Sequence, residues 1–268
     1  MSVMQHLSNT VNTISESVCD EVADYNTLSK LFEYPHNQDM CDAWLEACDH
    51  ILMREPSTIA VLQKFIEFVK NSTLTEIQEL FLRSFDVQAI TTLDIGYILF
   101  GEDYKRGELL VNLNREHRDA GNVCETELSD HLPNVLRLLP LMSDADLRSE
   151  LVQVLLIPAM DKMIAEFDAK KIEKKDEVYK KHLKTVLDYS LEYRVAYQGA
   201  LLAVRTALHG DFVPQQECDC CSSHEHTEDH TASTIADTDC GSNTQGCTHK
   251  RVPSDFGATI ENEFDIEN

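Results

Sequence analysis

Apolar residues recur at helical spacing through almost the whole chain before residue 210, and that period admits helices and little else. Val18, Val22, Tyr25, Leu28, Leu31 and Phe32 mark one face of a first helix, which Pro35 stops by disfavouring helical backbone at the residue before it. Met40, Trp44, Cys48, Ile51 and Leu52 mark a second helix. Pro56 stands where a third can begin, with Ile59, Leu62, Phe65, Ile66 and Val69 as its stripe. Thr73 and Glu76 have the spacing of a capping box ahead of Ile77, Leu80 and Phe81. A short helix is predicted from about Thr92 to Phe100, ended by Gly101 in a left-handed conformation, and a longer one from about Asp103 to Ala120, closed by Gly121. Ser129 or Asp130 is expected to cap the next, which turns Leu132, Val135, Leu136 and Leu139 inward.

Two long helices should follow. Residues 144–168 carry Leu147, Leu151, Val154, Leu155 and Met163, with a kink expected at Pro158. Lys170 to Lys175 read as a solvated charged run, and residues 176–209, with Val178, Leu183, Val186, Leu187, Leu191, Leu201, Leu202 and Leu208, as a helix ending at Gly210. No strand-like alternation of useful length and no internal repeat is present. Nine glycines and seven prolines are too few for a turn-dense β architecture. The expected fold is all-α: one helical bundle over residues 12–209.

The composition changes at Asp211. Residues 211–268 hold 13 acidic and two basic residues, a net charge of −11 out of the total of −24. They are rich in Ser, Thr, Asp and Glu and poor in aliphatics, so residues 210–268 are expected to form a largely disordered acidic tail. A chain this acidic repels nucleic acid and anionic membranes and favours basic partners. Its N-terminus lacks a basic and apolar leader pattern, and its longest apolar stretch, Val154 to Ala159, is far too short for a membrane span. The expected location is cytoplasmic, with no direct membrane insertion. In a reducing compartment, Cys19, Cys41, Cys48 and Cys124 are scattered small hydrophobes.

The tail carries its own cluster, Cys218, Cys220, Cys221, His224 and His226, followed by His230, Cys240, Cys247 and His249. These residue types bind zinc or copper. Their C-x-C-C-x-x-H-x-H spacing crowds ligands for a tetrahedral site, so the expectation is adventitious zinc or copper at most and no resident cofactor. Catalytic motifs are missing throughout: there is no glycine-rich phosphate loop, no G-x-S-x-G elbow and no H-E-x-x-H. The residues read as those of a protein that is not an enzyme.

Two segments do carry a pattern. Leu31 to Pro35 reads L-F-E-Y-P, and the run from Ile98 to Leu139 contains Phe100-Gly101-Glu102, then Arg106-Gly107 through Leu113, then Ala120-Gly121, then Glu127-Leu-Ser-Asp-His-Leu-Pro133. In order and spacing over residues 28–140 this resembles the NarJ-like assembly chaperones of molybdenum enzymes, the nitrate reductase delta-subunit type within the wider TorD-like family. Ser129 departs from the family pattern, which has proline there. The resemblance implies a single all-α chaperone domain. Its partner would be the catalytic, molybdenum-containing subunit of a nitrate reductase-like enzyme, bound through its N-terminal segment before the cofactor is inserted. Two other functions stand beside this one: a stable accessory or adaptor subunit of the oxidoreductase complex, and a metal-binding protein acting through the Cys/His tail.

Glu127, Asp130 and His131 are the candidate client-peptide contacts, the carboxylates attracting Lys or Arg and the imidazole bonding peptide backbone. For Asp130 and His131 the competing reading is a helix cap and a packed side chain. Tyr97 and Phe100 either line the peptide groove or pack in the core. Tyr34, Pro35, Gly101, Arg106, Gly107 and Pro133 are structural motif positions. Among them Gly101 is expected at a C-cap and Gly107 at a close helix contact. Arg106 is either paired with a carboxylate or a solvated charge.

Overall fold

The computed structural model describes residues 23–183 and 194–214. The expected helical residues 12–22 and 184–193, and the tail with Cys218, Cys220, Cys221, His224 and His226, lie outside the described residues. Among the described residues eleven α-helices follow one another: α1 (Tyr25–Ser29), α2 (Gln38–Arg54), α3 (Ile59–Asn71), α4 (Leu74–Phe85), α5 (Ile95–Phe100), α6 (Tyr104–Asp119), α7 (Leu132–Leu138), α8 (Ala145–Glu150), α9 (Ile157–Ala165), α10 (Ala169–Leu183) and α11 (Ala196–Phe212). Among the described residues there is no strand, only an isolated antiparallel bridge between Asp94 and His131. No helix there is long and apolar enough to cross a membrane.

Local chemistry sets most boundaries. Thr73 and Glu76 form the full reciprocal capping box at the start of α4. Asn37 caps α2 by accepting from the Met40 N–H, and Asp103 caps α6 by accepting from the Lys105 N–H. Gly101 and Gly121 take φ of 63° and 69° just past their helices, a region that costs glycine little. Tyr34 sets its ring edge-on to Phe81, and the buried Pro35 offers its carbonyl to Gln78 Nε2 at 2.9 Å, so the L-F-E-Y-P segment closes α1 against α4.

The core centres on α11, which is buried around most of its circumference and rich in Ala and Gly. Small side chains let it press against α3: a Cβ at Gly199 would lie 2.0 Å from the Val61 carbonyl oxygen, so only glycine allows this approach. Tyr197 of α11 meets Phe85 at 4.7 Å, Phe65 at 5.0 Å and Trp44 at 5.7 Å between ring centroids, joining α2, α3, α4 and α11 in one tilted and edge-on cluster. The Tyr197 hydroxyl donates to the Leu31 carbonyl at 3.2 Å. Cys41 and Cys48 are buried, and burial pushes the Cys48 thiol up to about 12, so neither is a reactive thiolate at neutral pH.

Several expectations need correction. Where a kink at Pro158 is expected, the chain carries a π-helical turn over Leu151–Leu156, between α8 and α9. Proline cannot donate to the carbonyl one turn back and its ring crowds that carbonyl, and the wider turn absorbs both problems. Ile59, expected inward, is 49% exposed. Val178 is also exposed. The lysine run is not uniformly solvated, because Lys171 and Lys175 both pair with Glu166 at 2.8 Å. Gly210 does not end its helix, since α11 continues to Phe212. Asp211 therefore belongs to the fold and not to the tail. Its buried carboxylate accepts from the Tyr25 hydroxyl at 2.6 Å and the Ala23 N–H at 2.9 Å, and it pairs with Arg54.

Candidate functional site

Three of the motif residues, Arg106, Asp130 and His131, meet at one corner, where α5, the first turn of α6 and the segment before α7 come together. Backbone bonds join the two chain segments of that corner: Ile95 N–H donates to the Asp130 carbonyl and Leu132 N–H to the Leu93 carbonyl, each at 2.9 Å. Asp94 occupies the N-cap position of α5, yet its side chain makes no capping bond. It accepts instead from His131 Nδ1 at 2.9 Å and from Arg106 Nη2 at 3.2 Å. Arg106 Nε also donates to Asp130 Oδ2 at 3.0 Å. Two carboxylates thus share one guanidinium, and the imidazole closes the chain of contacts.

The geometry leaves no room for a side chain at Gly96. A Cβ there would lie 2.7 Å from Asp130 Oδ2 and 3.0 Å from Leu109 Cδ2. The close approach expected at Gly107 belongs to Gly96. Gly107 faces open space on the outside of α6. Above the guanidinium lies the Tyr97 ring, its centroid 5.4 Å from Arg106 Cζ, a cation–π arrangement.

Electrostatics separates the two carboxylates. The hydrogen bond from His131 holds Asp94 below the usual carboxylate range, aided by Arg106 and opposed by partial burial. Burial pushes the Asp130 carboxyl up, against the hydrogen bond and charge of Arg106. Desolvation works against the Arg106 charge, and the bonds to Asp130 and Asp94 outweigh it, raising the guanidinium further.

A second polar cluster supports the segment from behind. His117 is buried on α6, with its Nε2 3.0 Å from the Ser129 carbonyl and its Nδ1 2.9 Å from Asn122 Nδ2. The carbonyl accepts and the amide donates, so the ring is neutral with its proton on Nε2. Burial holds its basicity below the usual value. Asn122 Nδ2 also donates to the Asn134 carbonyl at 3.0 Å, and Asn134 Nδ2 to the Leu128 carbonyl at 2.8 Å. These bonds fix the course of residues 122–131 without regular secondary structure.

Asp130 is fully buried and engaged with Arg106, so a peptide cation does not reach it in this arrangement. It is not a cap either. His131 occupies the N-cap of α7 without a side-chain capping bond, and Ser129 is buried with its hydroxyl toward the Leu110 carbonyl. Pro133 fits the first turn of α7, where its missing N–H costs nothing. Phe100 is partly buried against the core, while Tyr97 is 42% exposed and Glu127 is exposed. The outward parts of the corner are therefore the Tyr97 ring, the Glu127 carboxylate, Leu128 and the accessible edges of Asp94 and His131.

Asp94, Gly96, His117, Asn122 and Asn134 escaped the reading of the sequence. His117 had a signal, because it continues the Leu109–Leu113 stripe at i+4. The others act through partners that spacing does not reveal. Among the described residues, no group of three or more His, Cys, Asp or Glu side chains is arranged to hold a metal ion. Comparison with family models, curated proteins and solved structures finds no match in any of the three.

Proposed function

We propose that this chain is a maturation chaperone of the NarJ-like type. In this reading it binds the N-terminal segment of the catalytic subunit of a molybdenum oxidoreductase before cofactor insertion. The observation that carries the reading is the meeting of the motif residues Arg106, Asp130 and His131, with the site residue Tyr97 and with Pro133 opening the next helix, at one corner of an all-helical body. In such a corner the buried Asp130–Arg106 pair is a support. The recognition groups are the exposed ones: Tyr97 and Leu128 for apolar residues of the peptide, Glu127 and Asp94 for its basic ones. A net charge of −24 suits a basic peptide.

The test is calorimetric titration of the full chain with a synthetic peptide from the N-terminus of a nitrate reductase-type catalytic subunit. Binding should weaken, without vanishing, as salt rises, because exposed ion pairs supply only about 0–1 kcal/mol each. The double substitution Tyr97→Ala, Glu127→Gln should weaken it at least about tenfold, or 1.4 kcal/mol, with the helical circular dichroism unchanged. A wild-type chain that takes up no peptide at low salt refutes the proposal. Equal affinity of wild type and double variant removes the corner as the contact.

A further inference from the structure

One imidazole ties down both ends of a loop. Residues 122–129 lead from the end of α6 toward α7 without helix or strand. At the start of the loop, Asn122 N–H donates to the His117 carbonyl at 2.8 Å and Asn122 Nδ2 to His117 Nδ1 at 2.9 Å. At its end, His117 Nε2 donates to the Ser129 carbonyl at 3.0 Å. Asn122 Nδ2 spends its second hydrogen on the Asn134 carbonyl of α7, at 3.0 Å. The ring itself is only 3% exposed.

The neutral ring suits this arrangement and the charged one does not. A protonated imidazole donates from both nitrogens and accepts at neither. Nε2 keeps its bond to Ser129, but Nδ1–H then points at the Asn122 amide hydrogens. Turning that amide over would offer Oδ1 to the ring and set the same oxygen against the Asn134 carbonyl. Either way a buried polar group loses its partner. No nearby carboxylate balances the new charge. From α7 the ring meets the Arg137 guanidinium, which disfavours a second positive charge and is itself answered by Glu33. In the loop, Glu125 and Glu127 are exposed, Asp130 beyond it is engaged with Arg106, and burial keeps the Cys124 thiol protonated. On α6 itself, Glu116 pairs with Arg115 and Arg118 with Asp119. None of these carboxylates bonds to the imidazole. A buried charge in such a place is relieved by water, and the element that can give way is the irregular loop.

We propose that His117 is a proton-operated latch: protonation of its imidazole releases residues 122–126 from the body while the helical core stays closed. The hinge is the Ser129 end, where the bond from Nε2 persists and Asn134 Nδ2 still holds the Leu128 carbonyl. Opening uncovers Cys124, which is half-buried in the closed loop. The inference goes beyond the chaperone reading and does not depend on it, since the device and its test involve no peptide.

Thiol labelling of the full reduced chain tests it. A pyridyl disulfide reacts in mild acid as well as at neutral pH, and mass spectrometry of the digested chain assigns each label to its cysteine. The quantity read is the Cys124 labelling rate of the wild type divided by that of His117→Gln, whose amide does not titrate. This ratio cancels the intrinsic pH dependence of the reagent. It should rise at least about fivefold from about pH 7.5 to about pH 5, while the buried Cys48 of α2 stays unlabelled. An unchanged ratio overturns the proposal. So does labelling of Cys48 in step with Cys124, which would show the whole fold opening. Nuclear magnetic resonance of the wild type alone decides the matter should the variant fold poorly. The ring nitrogen shifts of His117 and the amide shifts of residues 122–126 should follow one midpoint, with those of α2 and α11 unmoved. Loop amides that stay still while the ring titrates, or a ring that stays neutral across the range, refute the latch.

Discussion

Asp130 and Asp211 are equally withdrawn from solvent and each meets an arginine, yet they hold different parts of the molecule. Asp130 joins neighbours in sequence. Its arginine lies 24 residues away, is itself mostly covered, and is shared with a second carboxylate. Asp211 joins the two ends of the described chain, 186 and 188 residues apart, and its arginine is 36% exposed. The first is a closed network in which every charge depends on another. The second is an anchor whose cation can turn to water. A buried pair is costly to break when the group left behind cannot be hydrated, and cheaper when it can.

Asp130→Ala sharpens this contrast most. It strands Arg106 beneath the Tyr97 ring with only Asp94 as counter-charge and should lower unfolding stability by about 3–5 kcal/mol in urea titration. Asp211→Ala leaves the Tyr25 hydroxyl and the Ala23 N–H without their acceptor, while Arg54 reaches solvent. A smaller loss of about 1–3 kcal/mol is expected. If Asp211→Ala proves the more damaging, long-range closure outweighs local charge burial and the comparison is reversed.

The polar support behind the corner should show itself through pH. The unfolded imidazole of His117 takes a proton near its ordinary value of 6.5, whereas the folded one resists until lower pH. Below 6.5 the unfolded state therefore binds more protons, and stability falls as pH falls, by at most about 1.4 kcal/mol per pH unit. His117→Gln should flatten the stability profile between pH 7 and pH 5. Carboxylate linkage such as that of Asp94 acts lower, present above its unfolded value near 3.8 and lost below it. An unchanged slope in the variant would show that His117 is not what titrates there.

The smallest effect distinguishes two glycines, Gly107 and Gly96. Gly107 faces open space in the body of α6, so Gly107→Ala should stabilise the protein by about 0.5–1 kcal/mol, read as a raised melting temperature. Gly96→Ala, with its Cβ driven into Asp130, should destabilise it.

What the sequence made legible was local. The Thr73–Glu76 box and the turns at Gly101 and Gly121 depend on residues within one helical turn, and each is where spacing placed it. The inward stripes of α2, α4 and α7 were readable for the same reason. The site was legible only as a neighbourhood. Asp130 and His131 were singled out, but their partners Arg106 and Asp94 lie 24 and 37 residues away. Spacing within a segment cannot tell a buried counter-ion from an exposed one. Asp211 was misjudged because it stands beside an acidic stretch and shares its composition, while its contacts lie at the other end of the described chain.

The aromatic cluster has an optical consequence. Trp44 is the one tryptophan of the chain, fully buried, ringed by Phe65, Phe81 and Tyr197, and its indole N–H meets no acceptor among the described residues. An indole so placed emits toward the blue and shifts red when water enters. Because the rings around it belong to α3, α4 and α11, its fluorescence reports the joint opening of those helices. Peptide at the Tyr97 corner should leave the colour of that emission unchanged unless the core itself rearranges.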